Sequence, residues 1–429
     1  MRLDLRARTL TFHPRMTETL AIVGAGQAGL SAAASARQEG FSGRIRLIGA
    51  EATPPYQRPP LSKAYLKGDL GVDRLHLKPA EFYESADIEM DLGRRIVAID
   101  RAARTLTDEA GAETAYDRLI IATGAPPREL NCPGADATGV FYLRTLKDSD
   151  SLRAVLDVDG TIVVVGAGYI GLEVAAVARA SGRKVVVLEI ADRPLKRVAG
   201  RAISDFFAGL HRAEGVDLRL ETGLEEIETT NGRVAGVRLS DGSRLNCAAV
   251  LIGIGAAPDL GLAADAGLEC DNGVLVDETA LTSDPAIWAA GDVANFPSPF
   301  YGRRLRLESV PNAIEQGKAA GVNVARAATG AAPQIYDSLP WFWSDQYDVK
   351  LQTAGARPPN ETPGMTEIVR PGAHERSLSV WTALNGALQS VDAINDPAAF
   401  VVGKRLIAAR GRIDLDALAD PSHDLKSFL

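Results

Sequence analysis

Two glycine-rich stretches contain the residue types whose spacing points most directly to chemistry. Residues 20–30 read LAIVGAGQAGL, an apolar run followed by Gly24, Gly26 and Gly29. In a G-x-G-x-x-G turn, the first glycine tightens the turn, the second lets a pyrophosphate approach the backbone, and the third lets the helix pack on the strand. The N–H groups at the helix N-terminus then hold the phosphates. The spacing predicts a dinucleotide site.

An acidic residue stands where such a site needs one. Glu51 follows a second apolar run, residues 45–48, and lies about 20 residues beyond the third glycine. A carboxylate at that place can accept hydrogen bonds from the adenosine ribose. Strand, turn, helix, strand and acid in this order are more specific than the glycines alone.

The same pattern occurs a second time. An apolar run over residues 161–165 precedes Gly166, Gly168 and Gly171, and Glu189 ends the next apolar run. The two patterns are too far apart to serve one dinucleotide, so two nucleotides are expected, and a flavin with a nicotinamide is the usual pair. One site and a decayed duplicate is the alternative, and it is disfavoured because both copies keep every glycine and the acid.

The prolines of residues 54–63, PPYQRPPLSK, make a stiff loop after the first acid. Four prolines in seven residues disfavour a helix before Ser62, which could then be its N-cap. Ligands of parallel α/β sheets bind at this edge, so Arg58 and Lys63 are candidates for contacting a flavin. A solvated surface loop is an equally good interpretation of this segment alone.

Further loops allow close approach of a cofactor. Ala122, Thr123 and Gly124 follow a short apolar run, and Gly255 closes another. Asp292 follows a glycine at the end of a short strand, where its carboxylate can hold a sugar-alcohol hydroxyl. An ordinary turn residue is the alternative for Asp292.

The last hundred residues differ in composition. Aromatic residues concentrate from Trp341 onward, and Asn385-Gly386 between two alternating runs predicts a type I′ hairpin. Helices are predicted over residues 316–328 and 396–410. A third domain of antiparallel strands with helices is therefore expected.

Composition and charge limit the classes of function. The chain has 429 residues, is 46% hydrophobic and 24% charged, and carries a net charge of −8. This charge disfavours nucleic acid or an anionic membrane as the main partner, and no apolar run approaches the roughly 20 residues of a membrane span. The first 16 residues lack the features of a secretory signal and are predicted to be a disordered leader.

Cysteine and histidine usage argues against metal or disulfide chemistry. Cys132, Cys247 and Cys270 form no C-x-x-C pair, which predicts a reducing, cytoplasmic setting. The five histidines stand alone, so no metal site is predicted.

Four longer motifs give the chain a family resemblance from Glu18 onward: YQRPPLSK, AAGDVA, ESVPNAIEQG and WFWSDQYD. With them the sequence resembles the FAD-containing NADH:ferredoxin reductases of bacterial oxygenase systems. The resemblance implies a glutathione-reductase-like α/β fold with two Rossmann-like domains and a C-terminal α+β domain. An FAD domain (residues 17–130 and 256–333), an NAD domain (131–255) and a C-terminal domain (334–429) are expected.

The resemblance also implies roles for residues that match its motifs. Lys63 would lie beside the flavin ring, Glu173 near the nicotinamide, and Trp343 at the exposed flavin edge. The other implied FAD contacts are those of Arg58, Arg128, Asp292 and Val310.

The implied reaction passes electrons from NADH through non-covalent FAD to a [2Fe–2S] ferredoxin. A haem monooxygenase is favoured as the oxygenase beyond it, and an aromatic-ring dioxygenase is the alternative. Lys63 occupies the place of the redox cysteine in disulfide-reducing relatives, so thiol chemistry is not expected. An NADH oxidase and a flavin-based signalling protein remain as rivals.

Two finer expectations concern the partners. Glu189 predicts a preference for NADH over NADPH, which Arg193, Lys196 and Arg197 could soften. The basic cluster of Arg303, Arg304 and Arg306 is predicted to help an acidic ferredoxin dock, with a plain solvated face as the alternative.

Overall fold

The computed structural model describes residues 18–429. The predicted leader, residues 1–16, lies outside the described residues. Two parallel sheets with helices are followed by an antiparallel sheet, so the predicted fold class is confirmed. The domain boundaries remain a prediction.

The strands and helices are numbered in chain order. The strands are β1 (Thr19–Val23), β2 (Arg44–Gly49), β3 (Ile88–Leu92), β4 (Ile96–Asp100), β5 (Thr105–Asp108), β6 (Glu113–Ala115), β7 (Arg118–Ile121), β8 (Val140–Phe141), β9 (Thr161–Val165), β10 (Lys184–Leu188), β11 (Asp217–Arg219), β12 (Leu224–Thr230), β13 (Arg233–Leu239), β14 (Arg244–Asn246), β15 (Ala249–Ile252), β16 (Val274–Leu275), β17 (Ile287–Ala289), β18 (Ala294–Ser298), β19 (Arg303–Leu305), β20 (Trp341–Gln346), β21 (Val349–Gly355), β22 (Met365–Pro371), β23 (Leu378–Leu384) and β24 (Ala387–Ile394). The helices are α1 (Gln27–Gln38), α2 (Ala64–Lys67), α3 (Ala80–Ser85), α4 (Leu146–Leu156), α5 (Tyr169–Ala180), α6 (Arg201–Ala213), α7 (Gly261–Asp265), α8 (Val310–Thr329), α9 (Pro397–Ala409) and α10 (Leu415–Ala419).

The first sheet is parallel, with strand order β17-β7-β1-β2-β3. Its central strand β1 is a continuous apolar run because both faces are covered, and Leu20, Ala21 and Ile22 are fully buried. Because the strands are parallel, the segments that follow β1, β7 and β17 leave the sheet at one edge. Gly24, Ala122 and Asp292 therefore share that edge.

The second sheet repeats this arrangement with the order β11-β10-β9-β15-β8. Gly166 follows β9 as Gly24 follows β1, and α5 follows as α1 does. The loop after β15, which contains Gly255, leaves the same edge as Gly166. Each sheet thus has one edge at which a glycine turn and a crossing loop meet.

The C-terminal sheet is antiparallel, with the order β20-β21-β24-β23-β22. One face packs on α9 around Trp381, which is fully buried. On the other face, Leu351 and Val380 share a core with Phe207 of α6. The predicted hairpin is confirmed, because Asn385 and Gly386 have φ of 51° and 81° between β23 and β24.

Two predictions about helices need correction. A 3₁₀ helix over Pro59–Ser62 precedes α2, so Ser62 does not cap a helix, and Lys63 is the N-cap of α2. Prolines in a first turn lack only N–H groups that would have no helical partner there. The helix predicted over residues 316–328 is α8, which begins earlier at Val310, after the N-cap Ser309.

Helices α1 and α8 pack closely through small residues. A Cβ atom added to Gly317 would lie 2.4 Å from the Ala28 carbonyl oxygen, and one added to Gly321 would lie 2.2 Å from that of Ala32. The two backbones therefore touch along this seam. It fixes α8, and with it Val310 at the helix start, against the first glycine turn.

We expect Gly321→Ala to destabilise the protein although alanine favours helices. The added methyl must separate α8 from α1, at a cost of about 1–3 kcal/mol typical of overpacked cores. The matched control is Gly209→Ala in α6, where an added Cβ would meet no atom within 4 Å and which we expect to stabilise by about 0.5–1 kcal/mol. Apparent Tm values of the two variants measure the effects. Similar shifts in both would contradict the seam.

Candidate active site

One continuous cleft of ≈ 1010 Å³ lies where the edges of the two parallel sheets face each other. It is lined by residues from both glycine turns, the proline-rich loop, the start of α8 and β20. The predicted site residues in its lining are Gly24, Gly26, Glu51, Arg58, Lys63, Ala122, Thr123, Gly124, Gly166, Gly168, Glu173, Glu189, Gly255, Asp292, Val310 and Trp343.

The glycines of the first turn meet three different constraints. Gly24 has φ of +117°, and a Cβ there would lie 2.1 Å from the Ala122 carbonyl oxygen. A Cβ on Gly29 would lie 1.9 Å from the Gly24 carbonyl oxygen, so α1 could not pack on the turn. A Cβ on Gly26 would meet nothing within 4 Å and would only occupy space beside the cleft. That opening is what a close-approaching phosphate needs.

The second turn has the same geometry. Gly166 has φ of +98°, with the Gly253 carbonyl oxygen 2.5 Å from an added Cβ, and a Cβ on Gly171 would lie 2.3 Å from the Gly166 carbonyl oxygen. Gly26 and Gly168 are the N-cap residues of α1 and α5, and no side chain caps either N-terminus. Two helix N-termini thus present unpaired N–H groups to one cleft, and anionic pyrophosphates fit both.

The two predicted ribose acids have donors in this structure. Glu51 accepts from the Arg58 guanidinium at 2.7 Å and from the Tyr56 hydroxyl at 2.6 Å. Glu189 accepts from the backbone N–H groups of Ala167 at 2.8 Å and Ala191 at 2.9 Å. Each carboxylate is therefore held at the end of its strand, beside its own glycine turn.

Lys63 and Glu173 form a buried ion pair in the cleft wall. The Lys63 Nζ lies 2.6 Å from Glu173 Oε2, with side-chain exposures of 18% and 5%. The Ser62 hydroxyl donates to the same oxygen at 2.5 Å, and the Ser344 hydroxyl donates to Oε1 at 2.6 Å. A buried pair is tolerated when its remaining hydrogen-bonding capacity is satisfied. This pair joins the first sheet's loop, α5 and β20.

Asp292 lies beside two arginines in the cleft region. The Arg144 Nη2 lies 3.7 Å from its Oδ2, and Arg306 donates to its backbone oxygen at 3.2 Å. Burial raises the pKa of Asp292, an effect that Arg144 opposes. Burial also lowers the pKa of Arg144, and Asp292 opposes that shift. A carboxylate and a guanidinium thus lie beside each other where the strands of the first sheet end.

Arg128, predicted as a cofactor contact, does not reach the cleft. Its side chain is exposed, and its backbone N–H donates to the Gly255 carbonyl oxygen at 2.9 Å. Arg144 lines the cleft instead, although it was not among the predicted site residues. Its position between a short strand, β8, and the Thr145 capping box of α4 was the available signal, because residues between a strand end and a helix start lie at the sheet edge.

The predicted basic cluster is not one exposed patch. The Arg306 side chain is only 8% exposed and lies 2.7 Å from Glu308. Arg304 donates to Asn295 Oδ1 and to the Val276 carbonyl oxygen. The prediction of an exposed docking cation is wrong for Arg306, because its guanidinium already contacts the Glu308 carboxylate and the Asp292 carbonyl oxygen.

An aromatic group marks one rim of the cleft. Trp343, which lines it, lies with its ring centroid 5.7 Å from that of Trp341. The Lys404 ammonium of α9 stands 5.1 Å from the Trp341 ring centroid, a cation–π distance. The C-terminal sheet thus adds two indoles to this rim, and α9 adds a cation.

Two negative findings concern the part of the chain from residue 18 onward. No helix there has both the length and the apolar character that a membrane crossing requires. Over the same stretch, the His, Cys, Asp and Glu side chains form no group that could hold a metal ion.

Comparison with known proteins agrees with the geometry. The family model of pyridine nucleotide-disulphide oxidoreductases matches residues 18–317, and that of the reductase C-terminal domain matches residues 341–429. The 5,5'-dehydrodivanillate O-demethylase ferredoxin reductase subunit of Sphingobium sp. is 43% identical, covering 95% of this chain and 97% of the relative.

Two further proteins resemble the whole chain. Rhodocoxin reductase of Rhodococcus erythropolis is 41% identical over 95% of this chain and 93% of the relative. The reductase in the crystal structure of the covalent putidaredoxin reductase–putidaredoxin complex is 38% identical with a TM-score of 0.89, covering 96% of this chain and 97% of that one. The chain therefore belongs to the pyridine nucleotide-disulphide oxidoreductase family, among its ferredoxin reductases.

Proposed function

We propose that this protein is an FAD-dependent reductase that takes electrons from NADH and delivers them to a [2Fe–2S] ferredoxin of an oxygenase system. One observation carries the proposal. A single cleft contains two glycine turns, each followed by a helix without a side-chain cap, and has an aromatic rim. FAD, when bound, supplies the chemistry that accepts two electrons as a hydride and releases them one at a time. The residues of this chain bind, orient and charge-balance the two nucleotides.

The first glycine turn and its surroundings are the proposed FAD seat. Gly24, Gly26 and the N-terminus of α1 receive the pyrophosphate, with Gly29 letting α1 pack behind it. Asp292 holds a ribitol hydroxyl and Arg144 stands beside it. The other residues proposed to contact FAD are Glu51, Arg58, Ala122, Thr123, Gly124 and Val310.

The second glycine turn is the proposed NADH seat, with Gly166, Gly168, Gly171 and Gly255 around the pyrophosphate. Glu189 accepts from the ribose hydroxyls and repels a 2′-phosphate. Two of the three cations that could soften this preference already contact oxygen atoms of the protein. Arg193 is 8% exposed and donates to the Ala199 carbonyl oxygen at 2.9 Å, and Lys196 lies 3.0 Å from Asp192.

The Lys63–Glu173 pair stands between the two seats. The ammonium of Lys63 favours negative charge that develops in the cleft, and Glu173 holds that ammonium in place. Thiol chemistry is disfavoured, since Lys63 follows Leu61-Ser62 where disulfide-reducing relatives carry cysteine. None of the three cysteines lines the cleft of the described chain, and burial raises the pKa of each thiol.

The ferredoxin is proposed to dock at the rim formed by Trp341 and Trp343. An acidic partner needs a local cation on an acidic protein, and Lys404 beside Trp341 supplies one. This replaces the arginine cluster, whose Arg306 is paired with Glu308. Among oxygenases we keep a haem monooxygenase as the preferred recipient, and the cytoplasm as the location, where thiols stay reduced.

Ferredoxin turnover tests the function. The FAD-loaded protein with NADH should reduce a [2Fe–2S] ferredoxin faster than it reduces disulfides or molecular oxygen, followed by ferredoxin absorbance, thiol titration and oxygen consumption. Faster disulfide turnover would make it a thiol enzyme, and faster oxygen turnover an oxidase. A long-lived reduced protein that passes electrons to none of them would favour a signalling role.

For FAD binding, we expect Arg144→Ala to weaken retention and Arg128→Ala to leave it unchanged. The first change removes the cation that faces the partly buried Asp292 carboxylate, and loss of such an interaction weakens affinity by about tenfold or more. Flavin absorbance after gel filtration and titration of the apoprotein measure both variants. Equal losses in the two variants would contradict the assignment.

For the coenzyme, we expect a higher kcat/KM with NADH than with NADPH. Glu189→Gln removes the negative charge that meets a 2′-phosphate, so it should raise the relative efficiency with NADPH by about tenfold. Steady-state kinetics with both coenzymes, with ferricyanide as the acceptor, measure the ratio. Equal or better turnover of NADPH by the unaltered protein would refute the role of Glu189.

For docking, we expect Lys404→Glu to slow ferredoxin reduction about fivefold at low ionic strength, with the effect fading as salt screens the charges. Ferricyanide reduction should stay unchanged. The matched control is Lys184→Glu, an identical change of charge at the N-terminal end of β10, the sheet edge opposite the cleft. A similar slowing in both variants would show a general charge effect instead of docking at Lys404.

A further inference from the structure

We infer that Ser344, Gln346 and His211 are positioning residues that hold Glu173 through a one-way chain of buried hydrogen bonds. The inference rests on the proposed role of the Lys63–Glu173 pair in hydride arrival. It gives the C-terminal sheet a part in the chemistry of the cleft through side chains that do not line the cleft.

The chain of hydrogen bonds is continuous, and its central residues are buried from water. The Ser344 hydroxyl lies 2.6 Å from Glu173 Oε1, and Gln346 Nε2 lies 3.2 Å from the Ser344 oxygen. The Gln346 Oε1 lies 2.8 Å from His211 Nε2, and the Tyr347 hydroxyl lies 3.4 Å from His211 Nδ1. Ser344, Gln346 and His211 are each at most 1% exposed.

The direction of every bond follows from the carboxylate. A charged carboxylate only accepts, so the single proton of Ser344 must be donated to Glu173. The Ser344 oxygen then accepts from the amide of Gln346, which turns the Gln346 carbonyl toward His211. The His211 Nε2 must therefore carry the proton.

The state of His211 fits that direction. Burial lowers the pKa of His211, which favours the neutral ring with one donor and one acceptor nitrogen. With the proton on Nε2, the Nδ1 atom accepts from the Tyr347 hydroxyl. Each member thus donates toward Glu173, and aligned donors polarise one another.

The two carboxylate oxygens of Glu173 have different hydrogen-bond donors. Oε1 belongs to Ser344, and Oε2 belongs to Ser62 and Lys63. Without Ser344, Oε1 would be a buried acceptor with no donor in the described structure, so the carboxylate would rotate and draw Lys63 with it. The chain lies in an otherwise apolar contact between the sheet and α6, around Phe207 and Val380. Polar residues in such a contact are costly unless fully paired.

The test measures flavin reduction by NADH, with stopped-flow absorbance at saturating NADH and steady-state ferricyanide kinetics. Ser344→Ala should slow hydride arrival by about tenfold, the loss of one charge-assisted bond. The KM for NADH and the FAD content should stay close to those of the unaltered protein, while the apparent Tm should fall because a buried Glu173 oxygen loses its donor. Ser344→Thr keeps the hydroxyl and should restore the rate.

The matched control is Ser390→Ala. Ser390 is a fully buried serine of the same sheet whose hydroxyl has no hydrogen-bond partner in the described structure. Removal of this unpaired hydroxyl should leave the rate unchanged. An equal slowing by Ser390→Ala would show that any core serine matters there, and it would overturn the inference.

A double-mutant cycle with Glu173→Gln separates positioning from packing. If Ser344 acts through Glu173, Ser344→Ala should slow the Glu173→Gln protein by less than about twofold. The same loss in both backgrounds would overturn the inference, and so would a Glu173→Gln protein with an unaltered rate. These assays need no ferredoxin, so failure to reduce ferredoxin would refute the proposed function without touching this result.

Discussion

A buried carboxylate stays charged only if donors surround it, and Glu173, on α5, draws its donors from two other parts of the chain. Lys63 and Ser62 come from the loop after β2, and Ser344 comes from the C-terminal sheet, so three parts meet at this carboxylate. Removing any one part would leave a charge or an acceptor unpaired in the protein interior. The relative placement of the three parts is therefore tied to the electrostatics of the cleft.

Parallel strands supply the other constraint. Each parallel sheet brings its glycine turn and its crossing loop to a single edge, and the crossing loop presses so closely that no side chain fits at Gly24 or Gly166. The helix that follows each turn starts without a side-chain cap. The proposed anion binding thus follows from how the chain leaves the sheet, with no charged side chain needed at the pyrophosphate.

Features set by neighbours in sequence were predictable from the residues, and individual side-chain contacts across the fold were not. The glycine turns, the acids after the second strands and the Asn385-Gly386 hairpin depend on neighbours in sequence, and the structure agrees with all of them. Arg144 and Ser62 depend on what lies opposite them in space. Ser62 looked like a helix cap, but its hydroxyl donates to Glu173, 111 residues away in sequence.

Charged residues near the cleft were hardest to interpret for the same reason. Arg303, Arg304 and Arg306 are close in sequence and looked like one surface, yet each contacts a different carbonyl or carboxylate. Composition cannot separate a solvated cation from one that satisfies a buried oxygen. Only the distances decide it.

Strand β20 shows how one short segment serves two demands at once. Its side chains alternate between the faces of the sheet, so Trp341 and Trp343 lie toward the rim with Lys404, while Ser344 and Gln346 lie toward α5 and α6. A shift of one residue in the register of β20 would exchange the two sets. The rim where electrons are proposed to leave and the acid beside which they are proposed to arrive are therefore fixed by the same pairing of β20 with β21. Neither could be re-aimed without disturbing the other.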